Sequence, residues 1–473
     1  MSEFIDQNNH CLVEYPLNDN TAQSKAAEFL PCRCKEPAST SLVQEKHGLK
    51  ALPSQDEMNE AKTNYDTGIL NNKLQVVVAF SDFKAVDDNQ LSFCRGDEMQ
   101  ILYKPNSDWW WAEIHGNEGY IPTNHITEKT REEWEADRWQ DVEYFDSYAD
   151  LKLHLEMLSD NARTNAYKDA IIQNAESLSN KVVVDVGCGT GILSLLCAKH
   201  ANVKQVYGVE ASDIVHHTQH LIDQNGLTNK ITIFKDKVEN ITLPDKVDII
   251  ISEWMGTLLL FELMIESVLL ARNLWLKDTG VMWPSDASLY LVPCSATDEY
   301  NKKIAFWDCV YGFDFSYLKS FAMQEYFGKP VFNHELKSTD CLDSPLCVLK
   351  MKMKTFQIDE LEEIVKEFSF KVTKKSTFHG FASWFSVDFG GFNNQNTVTL
   401  DTGPTSRLTH WKQDLFMMND AVQVTVGDKI EGSIVIKRNA EWRRHLVVTF
   451  KYQMIFHCDQ NIKNFEKTFP LWK

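Results

Sequence analysis

The chain has 473 residues, of which 43% are hydrophobic and 24% are charged. This composition is typical of a globular protein of about three domains, and it excludes a chain disordered throughout, a collagen-like rod and a coiled coil. With 48 Lys and Arg against 67 Asp and Glu, the formal net charge of −19 is poorly suited to coating nucleic acid and favours basic partners.

The sequence predicts no signal peptide, membrane span or metal site. The first residues lack a basic segment followed by an apolar one. The most apolar window, residues 247–270, is interrupted by Asp248, Glu253, Glu262 and Glu266, so it falls short of the roughly 18 uncharged apolar residues that a span requires. The 11 cysteines are scattered, which predicts reduced thiols in the cytosol or nucleus.

The first two segments of the chain differ in composition and in hydrophobic pattern. Residues 1–72 are rich in Asn, Gln, Ser, Glu and Lys without a helical or strand period, which predicts a flexible leader. Residues 76–80 then read as a strand, and turn signals follow at 87–89, 95–97 and 105–107. Short strands at this spacing predict a small β-barrel.

The motifs of this segment resemble those of a Src-homology-3 (SH3) domain over residues 73–129. The matching motifs are Ala79-Phe80-Ser81-Asp82-Phe83, Leu91-Ser92-Phe93, Gly96-Asp97, Trp109-Trp110 and Gly119-Tyr120-Ile121-Pro122-Thr123-Asn124. The resemblance implies proline-rich ligands that bind as a polyproline II helix on an aromatic platform.

By position, the resemblance implies that Phe83, Trp109 and Pro122 form this platform, with Asp87 and Asp88 placed to meet a basic residue of the ligand. Trp110 and Phe93 are interpreted as barrel core. Ser81 and His125 stand where the SH3 family has tyrosines, which puts the affinity for proline-rich ligands in doubt.

Residues 130–283 alternate between helical and strand-like patterns. A charged segment at 129–141 begins a predicted helix, and residues 162–176 are also helical in character. The predicted strands and helices that follow are 181–185, 192–200, 205–210, 213–225, 231–234 and 247–251. This alternation predicts a doubly wound (Rossmann-like) α/β domain with a parallel sheet, which binds its ligand at the carboxyl ends of the strands.

From Trp283-Pro284 onwards the pattern is mainly that of strands. The strand-like runs are 347–355, 368–373, 397–400, 422–426 and 446–452. Many strands with few helices predict that residues 284–473 form an antiparallel β-barrel domain.

A glycine-rich turn, Gly187-Cys188-Gly189-Thr190-Gly191, follows the first predicted strand of the α/β domain. Such a turn lets the backbone approach a ligand closely, although a tight turn that binds nothing is an alternative. Asp185 precedes the turn, and Glu210 ends the next strand, where a carboxylate can accept hydrogen bonds from ribose hydroxyls. The G-x-G-x-G spacing favours an S-adenosylmethionine-dependent methyltransferase over a dinucleotide-dependent dehydrogenase.

Further motifs resemble those of the protein arginine N-methyltransferases, over residues 139–473. They are Tyr144-Phe145-Asp146-Ser147-Tyr148, Ser252-Glu253-Trp254-Met255-Gly256, Glu262 and Thr409-His410-Trp411. The resemblance implies that Arg163 pairs with the carboxylate of the cofactor, that His154 and Gly187 contact the cofactor, and that Glu239 contacts adenine. Taken singly, Arg163, His154 and Glu239 would more often be surface residues.

Glu253 and Glu262 interrupt a strongly apolar window, where unpaired carboxylates are costly, so we expect a cation between them. The resemblance implies that this cation is the guanidinium of a substrate arginine, and that Tyr148 hydrogen-bonds the acidic pair. It also implies that His410 pairs with Asp160. That pair either orients the site and removes a proton, or is a structural link between barrel and sheet.

The resemblance further implies asymmetric dimethylation, because Met157 and Met264 fall where asymmetric-dimethylating members carry methionines. It places a dimerisation arm at about 298–320 and predicts a homodimer; the aromatic residues there include Phe306, Trp307, Phe313 and Phe315, for which buried core is an alternative. We expect arginine-containing substrates, histone or Arg/Gly-rich, and residence in cytoplasm and nucleus. The rival hypothesis is an SH3-based adaptor whose methyltransferase domain is weak or silent.

Overall fold

The computed structural model describes residues 52–53, 75–79, 81–127, 131–390 and 397–472, with the backbone alone for 131–138. Its contacts divide the chain into Met1–Leu52 and Pro53–Lys473, and all the described helices and strands belong to the second unit. The predicted flexible leader, residues 1–72, lies outside the described residues apart from Leu52 and Pro53.

The N-terminal strands form an antiparallel sheet in the order β4-β3-β2-β1-β5. Its strands are β1 (Gln75–Ala79), β2 (Glu98–Tyr103), β3 (Trp109–Ile114), β4 (Asn117–Pro122) and β5 (Ile126–Thr127). His115 and Gly116 both have positive φ, which is the geometry of a two-residue hairpin turn that matches the twist of its strands. Val77, Met99 and Ile121 are fully buried, so alternate strand residues form a small core.

Helices lead into a parallel sheet with the order β10-β9-β6-β7-β8. The helices before the sheet are α1 (Arg131–Ser147), α2 (Leu151–Ser159), α3 (Asn161–Gln173) and α4 (Ala175–Leu178). The sheet and its connections are β6 (Val182–Val186), α5 (Ile192–His200), β7 (Gln205–Glu210), α6 (Val215–Gln224), β8 (Ile231–Lys235), β9 (Val247–Ile251), α7 (Ile265–Trp275) and β10 (Leu276–Trp283).

Strand β6 is buried along its whole length, as expected for a β-branched strand covered on both faces. The strand order reverses between β6 and β9, because the chain proceeds outwards to β7 and β8 on one side and to β10 on the other. A crevice outside the carboxyl ends of the strands at such a reversal is where ligands bind in this class of fold.

The C-terminal strands form two antiparallel sheets that share a core. The strands are β11 (Asp286–Cys294), β12 (Val331–His334), β13 (Leu346–Lys352), β14 (Glu363–Lys371), β15 (Ser376–Phe389), β16 (Val398–Asp401), β17 (Gln413–Val424), β18 (Lys429–Arg438), β19 (Leu446–Ile455) and β20 (Ile462–Leu471). Phe381 and Phe450, from different sheets, stack with ring centres 4.9 Å apart, so the barrel interior is filled by aromatic side chains.

An excursion between β11 and β12 contains α8 (Thr297–Lys303) and α9 (Lys319–Phe327). The excursion also contains the short 3-10 turns Ala305–Asp308 and Ser316–Leu318. Other 3-10 turns are Thr123–His125, Val238–Asn240, Ser338–Asp340 and Ile358–Leu361. Phe306, Phe313 and Phe315 are exposed and Trp307 is half-buried. Three of these four aromatic residues therefore face outwards rather than into a core.

The predicted fold class is confirmed: a small SH3 barrel precedes a doubly wound domain and an antiparallel barrel domain. The last strand of the small barrel ends at Thr127, β10 ends at Trp283 and β11 begins at Asp286. Within the described ranges, no helix is long and apolar enough to cross a membrane. The same ranges hold no group of three or more His, Cys, Asp or Glu side chains that could bind a metal ion.

Candidate active site

The turn between β6 and α5 forms the floor of the main cavity. Gly187, Gly189 and Gly191 all have positive φ, a conformation that residues with a Cβ rarely adopt. A Cβ at Gly187 would also collide with the methyl group of Met264. The positive φ explains why this turn is built from glycine, whereas the flexible end of Met264 could move away from a Cβ, and the turn directs the amino end of α5 towards the cavity.

Asp185 lies behind this turn and is fully buried. Its Oδ2 accepts hydrogen bonds from Ser194 N (3.0 Å) and Ser194 Oγ (2.7 Å). Burial raises the pKa of Asp185 to about 7. The predicted cofactor residue Asp185 therefore fixes the first turn of α5 to β6, and it is not among the residues that line the cavity.

Glu210 stands at the carboxyl end of β7 and lines the cavity. Its Oε2 accepts from Gly189 N (2.8 Å) and its Oε1 from Ser212 N (2.7 Å), so the carboxylate is held in one orientation beside the glycine turn. Glu239, in the 3-10 turn after β8, lines the same cavity. The structure thus brings these two predicted cofactor residues together with Gly187 and Gly189.

His154 and Arg163 reach this cavity from α2 and α3. The buried His154 ring donates from Nε2 to the carbonyl of Tyr148 (2.8 Å). Arg163 Nη1 lies 2.6 Å from Glu253 Oε2, in an ion pair whose side chains are both nearly buried. This pairing of Arg163 with a predicted substrate residue was not expected from the sequence.

The loop between β9 and α7 carries Glu253 and Glu262 and has an unusual backbone. Leu258, Leu259, Glu262 and Leu263 all have positive φ. Such conformations cost about 1–3 kcal/mol each for residues other than glycine, and they persist where surrounding contacts determine them.

The barrel domain supplies these contacts to the loop. Trp411 Nε1 donates to Met255 O (3.1 Å), and Asp414 Oδ2 accepts from Leu258 N (2.8 Å). The Tyr148 hydroxyl, from the helical side, donates to Glu262 Oε2 (2.6 Å). Glu253 and Glu262 both line the cavity, so the two predicted carboxylates open onto the space beside the glycine turn.

His410 and Asp160 form the predicted pair, with 2.7 Å between Nδ1 and Oδ2. Asp160 Oδ1 also accepts from Arg163 N (2.9 Å) and so caps α3. Burial alone would raise the pKa of Asp160, but the hydrogen bonds from His410 and from the backbone of Arg163 outweigh it and lower that pKa. The carboxylate therefore stays charged and links the barrel domain to the Arg163–Glu253 pair.

The cavity has a volume of about 500 Å³, within the range that accommodates a small-molecule ligand. Met157 and Met264 line it, as does Arg444 from the loop between β18 and β19. Arg444 was not predicted. Its sequence context, Trp-Arg-Arg-His, is basic and aromatic but carries no signal that it reaches an acidic loop 182 positions away.

The SH3 platform residues also come together. The rings of Phe83 and Trp109 lie 6.1 Å apart, and Trp109 pairs with Pro122 across β3 and β4. Trp109 is only 6% exposed, and Pro122 is buried as well. Ser81 Oγ and His125 Nδ1, where the SH3 family has tyrosines, lie within hydrogen-bonding distance of each other (2.8 Å).

The remaining SH3 residues divide between core and surface. Phe93 is buried, as interpreted, and Trp110 is half-buried and packs against the same core, with Lys104 Nζ 3.7 Å from its ring centre. Asp87 and Asp88 are exposed. The acidic edge is thus open to solvent while the aromatic platform is largely covered.

A parallel sheet with a glycine turn after β6, a fixed carboxylate after β7 and an acidic loop after β9 defines a nucleoside-binding methyltransferase. Three family models match the chain: the SH3 domain at residues 78–123, the methyltransferase domain at 183–274 and the arginine methyltransferase oligomerization subdomain at 285–456.

Whole-chain relatives extend this result. Protein arginine N-methyltransferase 2 of Homo sapiens is 48% identical over 89% of this chain and 98% of its own length. The protein of the same name from Mus musculus is 50% identical over 79% of this chain and 84% of its own length. A chain of the Trypanosoma brucei PRMT1 enzyme-prozyme heterotetrameric complex with AdoHcy is 32% identical, with a TM-score of 0.63, over 69% of this chain and all of its own.

The chain therefore belongs to the protein arginine N-methyltransferase family. Membership confirms the predictions of an S-adenosylmethionine-dependent enzyme and of an SH3 domain, and it rules out the dehydrogenase alternative. The individual site residues stay predictions, which the geometry above allows us to refine.

Proposed function

We propose that this protein transfers methyl groups from S-adenosylmethionine to the guanidinium groups of arginine residues in proteins. The observation that carries the proposal is the position of Glu253 and Glu262, which open onto the same cavity as Glu210 and the glycine turn. A cofactor bound at the turn and a cation bound by the two glutamates would meet in that cavity.

The two glutamates suit a guanidinium because this group is planar, always charged, and offers several N–H donors in a fixed fork. Tyr148 holds one carboxylate and Arg163 the other, so both are oriented before a substrate arrives. Negative charge on both sides polarises the guanidinium, so that one terminal nitrogen regains lone-pair character while all its protons stay bound. The ammonium group of lysine lacks this planar set of donors and cannot bind both carboxylates in the same way, so the site selects arginine.

When bound, S-adenosylmethionine would supply the methyl group from its sulfonium sulfur and leave as S-adenosylhomocysteine, and the methylated nitrogen would then have to lose one proton. His410, held by the charged Asp160 at the edge of the cavity, is placed to accept the proton or to orient the site. Arg163, which stays beside Glu253, the fixed carboxylate of Glu210 and the carboxylate of Glu239 would hold the cofactor by its carboxylate, ribose and adenine respectively.

The decisive assay incubates the full chain with labelled S-adenosylmethionine and an arginine-glycine-rich or histone-tail peptide. We expect label in the peptide with the wild-type protein and a loss of at least about 100-fold with Glu253→Gln or Glu262→Gln. A peptide in which lysine replaces arginine is the matched control. No label above the variants would contradict the proposal and favour the SH3-based adaptor.

We further propose mono- and asymmetric dimethylation of histone or Arg/Gly-rich substrates. Support comes from Met157 and Met264, which line the cavity, the latter packed against Gly187 where it narrows the space beside the glycine turn. Chromatography of the hydrolysed peptide should show monomethylarginine and asymmetric dimethylarginine. Symmetric dimethylarginine would contradict this assignment.

The oligomerization subdomain supports a homodimer in which the excursion at about 298–320 is the arm. Tyr311 is 98% exposed, and Phe313 and Tyr317 are also exposed, so the excursion presents aromatic surface to solvent. Light scattering should give twice the chain mass for the wild type. A variant with Phe313→Ser and Tyr317→Ser should shift towards the monomer, while the exposed Tyr326→Ser alone serves as control.

The SH3 domain supports binding of proline-rich partners. Because Trp109 and Pro122 are largely covered, we expect weak binding by the full chain. Titration of proline-rich peptides should give an affinity that Trp109→Lys abolishes, and no binding to the wild type would contradict this role.

Residence in cytoplasm and nucleus, proposed from the family resemblance, is tested by fractionation of cells that express the tagged chain.

A further inference from the structure

The loop between β18 and β19, residues 439–445, packs against the loop that carries Glu262. Arg444 Nη1 donates to the carbonyl of Glu262 (3.1 Å), and Glu262 N donates to the carbonyl of Arg444 (3.0 Å). We propose that Arg444 is a positioning residue that fixes the Glu262 carboxylate for arginine methylation. This inference rests on the proposed function and assigns a further residue to the same site.

Arg444 is itself fixed on its other side. Its Nη2 donates to Asp141 Oδ1 (2.5 Å), and its guanidinium carbon lies 3.8 Å from the ring centre of Tyr144. Burial alone would raise the pKa of Asp141, but Arg444 and Lys237 outweigh burial and lower it. Asp141 therefore stays charged, and Arg444 is held by an ion pair and a ring face together.

Glu262 needs such fixing because its backbone is in the left-handed region, with φ of 74°, and the next residue, Leu263, has φ of 53°. A conformation of this kind is maintained by the contacts around it. The Arg444 contacts act directly on both peptide groups of Glu262. Without the side-chain contact from Nη1 to the Glu262 carbonyl, we expect the backbone to relax and carry the carboxylate out of position.

Arg444 also acts on the carboxylate end of Glu262 through two aromatic rings. The Tyr144 ring, which the guanidinium covers, lies 5.1 Å from the ring of Tyr148. The Tyr148 hydroxyl in turn donates to Glu262 Oε2. One side chain therefore supports the main chain of Glu262 directly and its carboxylate through Tyr144 and Tyr148.

Arginine meets these demands and lysine does not. A guanidinium donates in two directions within its plane while its face stacks on a ring, whereas an ammonium is a point charge on a flexible stem. Arg444→Lys keeps the charge beside Asp141 but loses the fork. Arg438→Lys is the matched control, because Arg438 pairs with Glu266 and Glu362 and has no contact with Glu262 among the hydrogen bonds and ion pairs of the described residues.

For Arg444→Lys we expect kcat to fall roughly 10- to 100-fold, since a displacement of about 1 Å at a catalytic group has an effect of that size. The KM for S-adenosylmethionine should stay within about twofold, and Arg438→Lys should keep its kcat within the same factor. In a Glu262→Asp background, Arg444→Lys should cost much less than in the wild type. Loss by the same factor in both backgrounds, or an unchanged kcat, would overturn the inference.

Hydrogen exchange gives a readout that does not require methylation. Amides of residues 258–263 should exchange faster in Arg444→Lys than in the wild type or Arg438→Lys, with S-adenosylhomocysteine present throughout. A wild-type protein without methylation would contradict the proposed function, and the exchange rates would then decide about Arg444 alone. Equal rates in all three proteins would overturn the positioning role.

Discussion

The Tyr148 hydroxyl donates a hydrogen bond of 2.6 Å to Glu262 Oε2 and so joins the helical segment before the parallel sheet to the acidic loop after β9. Burial, followed by the nearby Tyr144 and Glu262, raises the pKa of Tyr148 well above its ordinary value. The hydroxyl therefore stays protonated at neutral pH and remains a donor to the carboxylate.

Replacing Tyr148 by Phe keeps the ring and removes this donor. A hydrogen bond to a charged group contributes about 1.5–3 kcal/mol, so we expect kcat to fall roughly 10- to 100-fold. Steady-state kinetics with an arginine-containing peptide measure the effect. The exposed Tyr326→Phe is the control, and a kcat within twofold of the wild type in Tyr148→Phe would show that the bond does not orient Glu262.

Arg163 connects the cofactor side of the cavity to Glu253. If it also binds the carboxylate of the cofactor, Arg163→Gln should weaken the binding of S-adenosylhomocysteine at least tenfold, because a charge-assisted bidentate contact is lost. Titration calorimetry measures the affinity. Glu253→Gln removes the same ion pair but leaves the guanidinium, so the affinity of this variant for S-adenosylhomocysteine should stay within about threefold of the wild type. Equal losses of affinity in both variants would mean that the ion pair only supports the fold.

His410 has two possible roles that a single substitution separates. His410→Gln can keep a hydrogen bond to Asp160 but cannot take up a proton. We expect kcat to fall about 100-fold, the usual size of general acid–base catalysis, with a melting temperature close to that of the wild type. His379→Gln, at a buried histidine that accepts from Ala296 N, should lower the melting temperature and spare kcat. The same behaviour in His410→Gln would assign it a structural role.

Much of the α/β domain could be predicted from sequence alone. The helix Ile192–His200 and the strands Gln205–Glu210 and Val247–Ile251 have the bounds that were predicted. Their apolar runs are bounded by glycine, acidic or turn residues, so local pattern and tertiary structure agree. The helical region at 162–176 is instead divided at Asn174, whose side-chain amide donates to Ala170 O and ends α3.

The site was less predictable where contacts are distant or the backbone is strained. Leu258 and Leu263 adopt positive φ although leucine has no preference for it, so the sequence carries no signal of the loop's shape. Arg444 is one of 48 basic residues, and only the folded barrel brings it to Glu262. The burial of Trp109 likewise depends on packing that an aromatic motif does not reveal.

The buried Asp185 makes stability depend on pH in an unusual direction. Its pKa is about 7 in the folded protein and about 3.8 in an exposed carboxyl, so between these values the folded chain holds a proton that the unfolded chain has released. This contribution to stability is present at low pH and is lost as the pH rises towards 7, by up to about 4 kcal/mol.

Asp185→Asn removes the titration. The melting temperature of the variant minus that of the wild type should therefore increase between pH 5 and pH 7. Asp248→Asn is the control, because neighbouring donors lower the pKa of Asp248 and that carboxyl does not titrate in this window. A difference for Asp185→Asn that is the same at both pH values would mean that this carboxyl is ionised throughout.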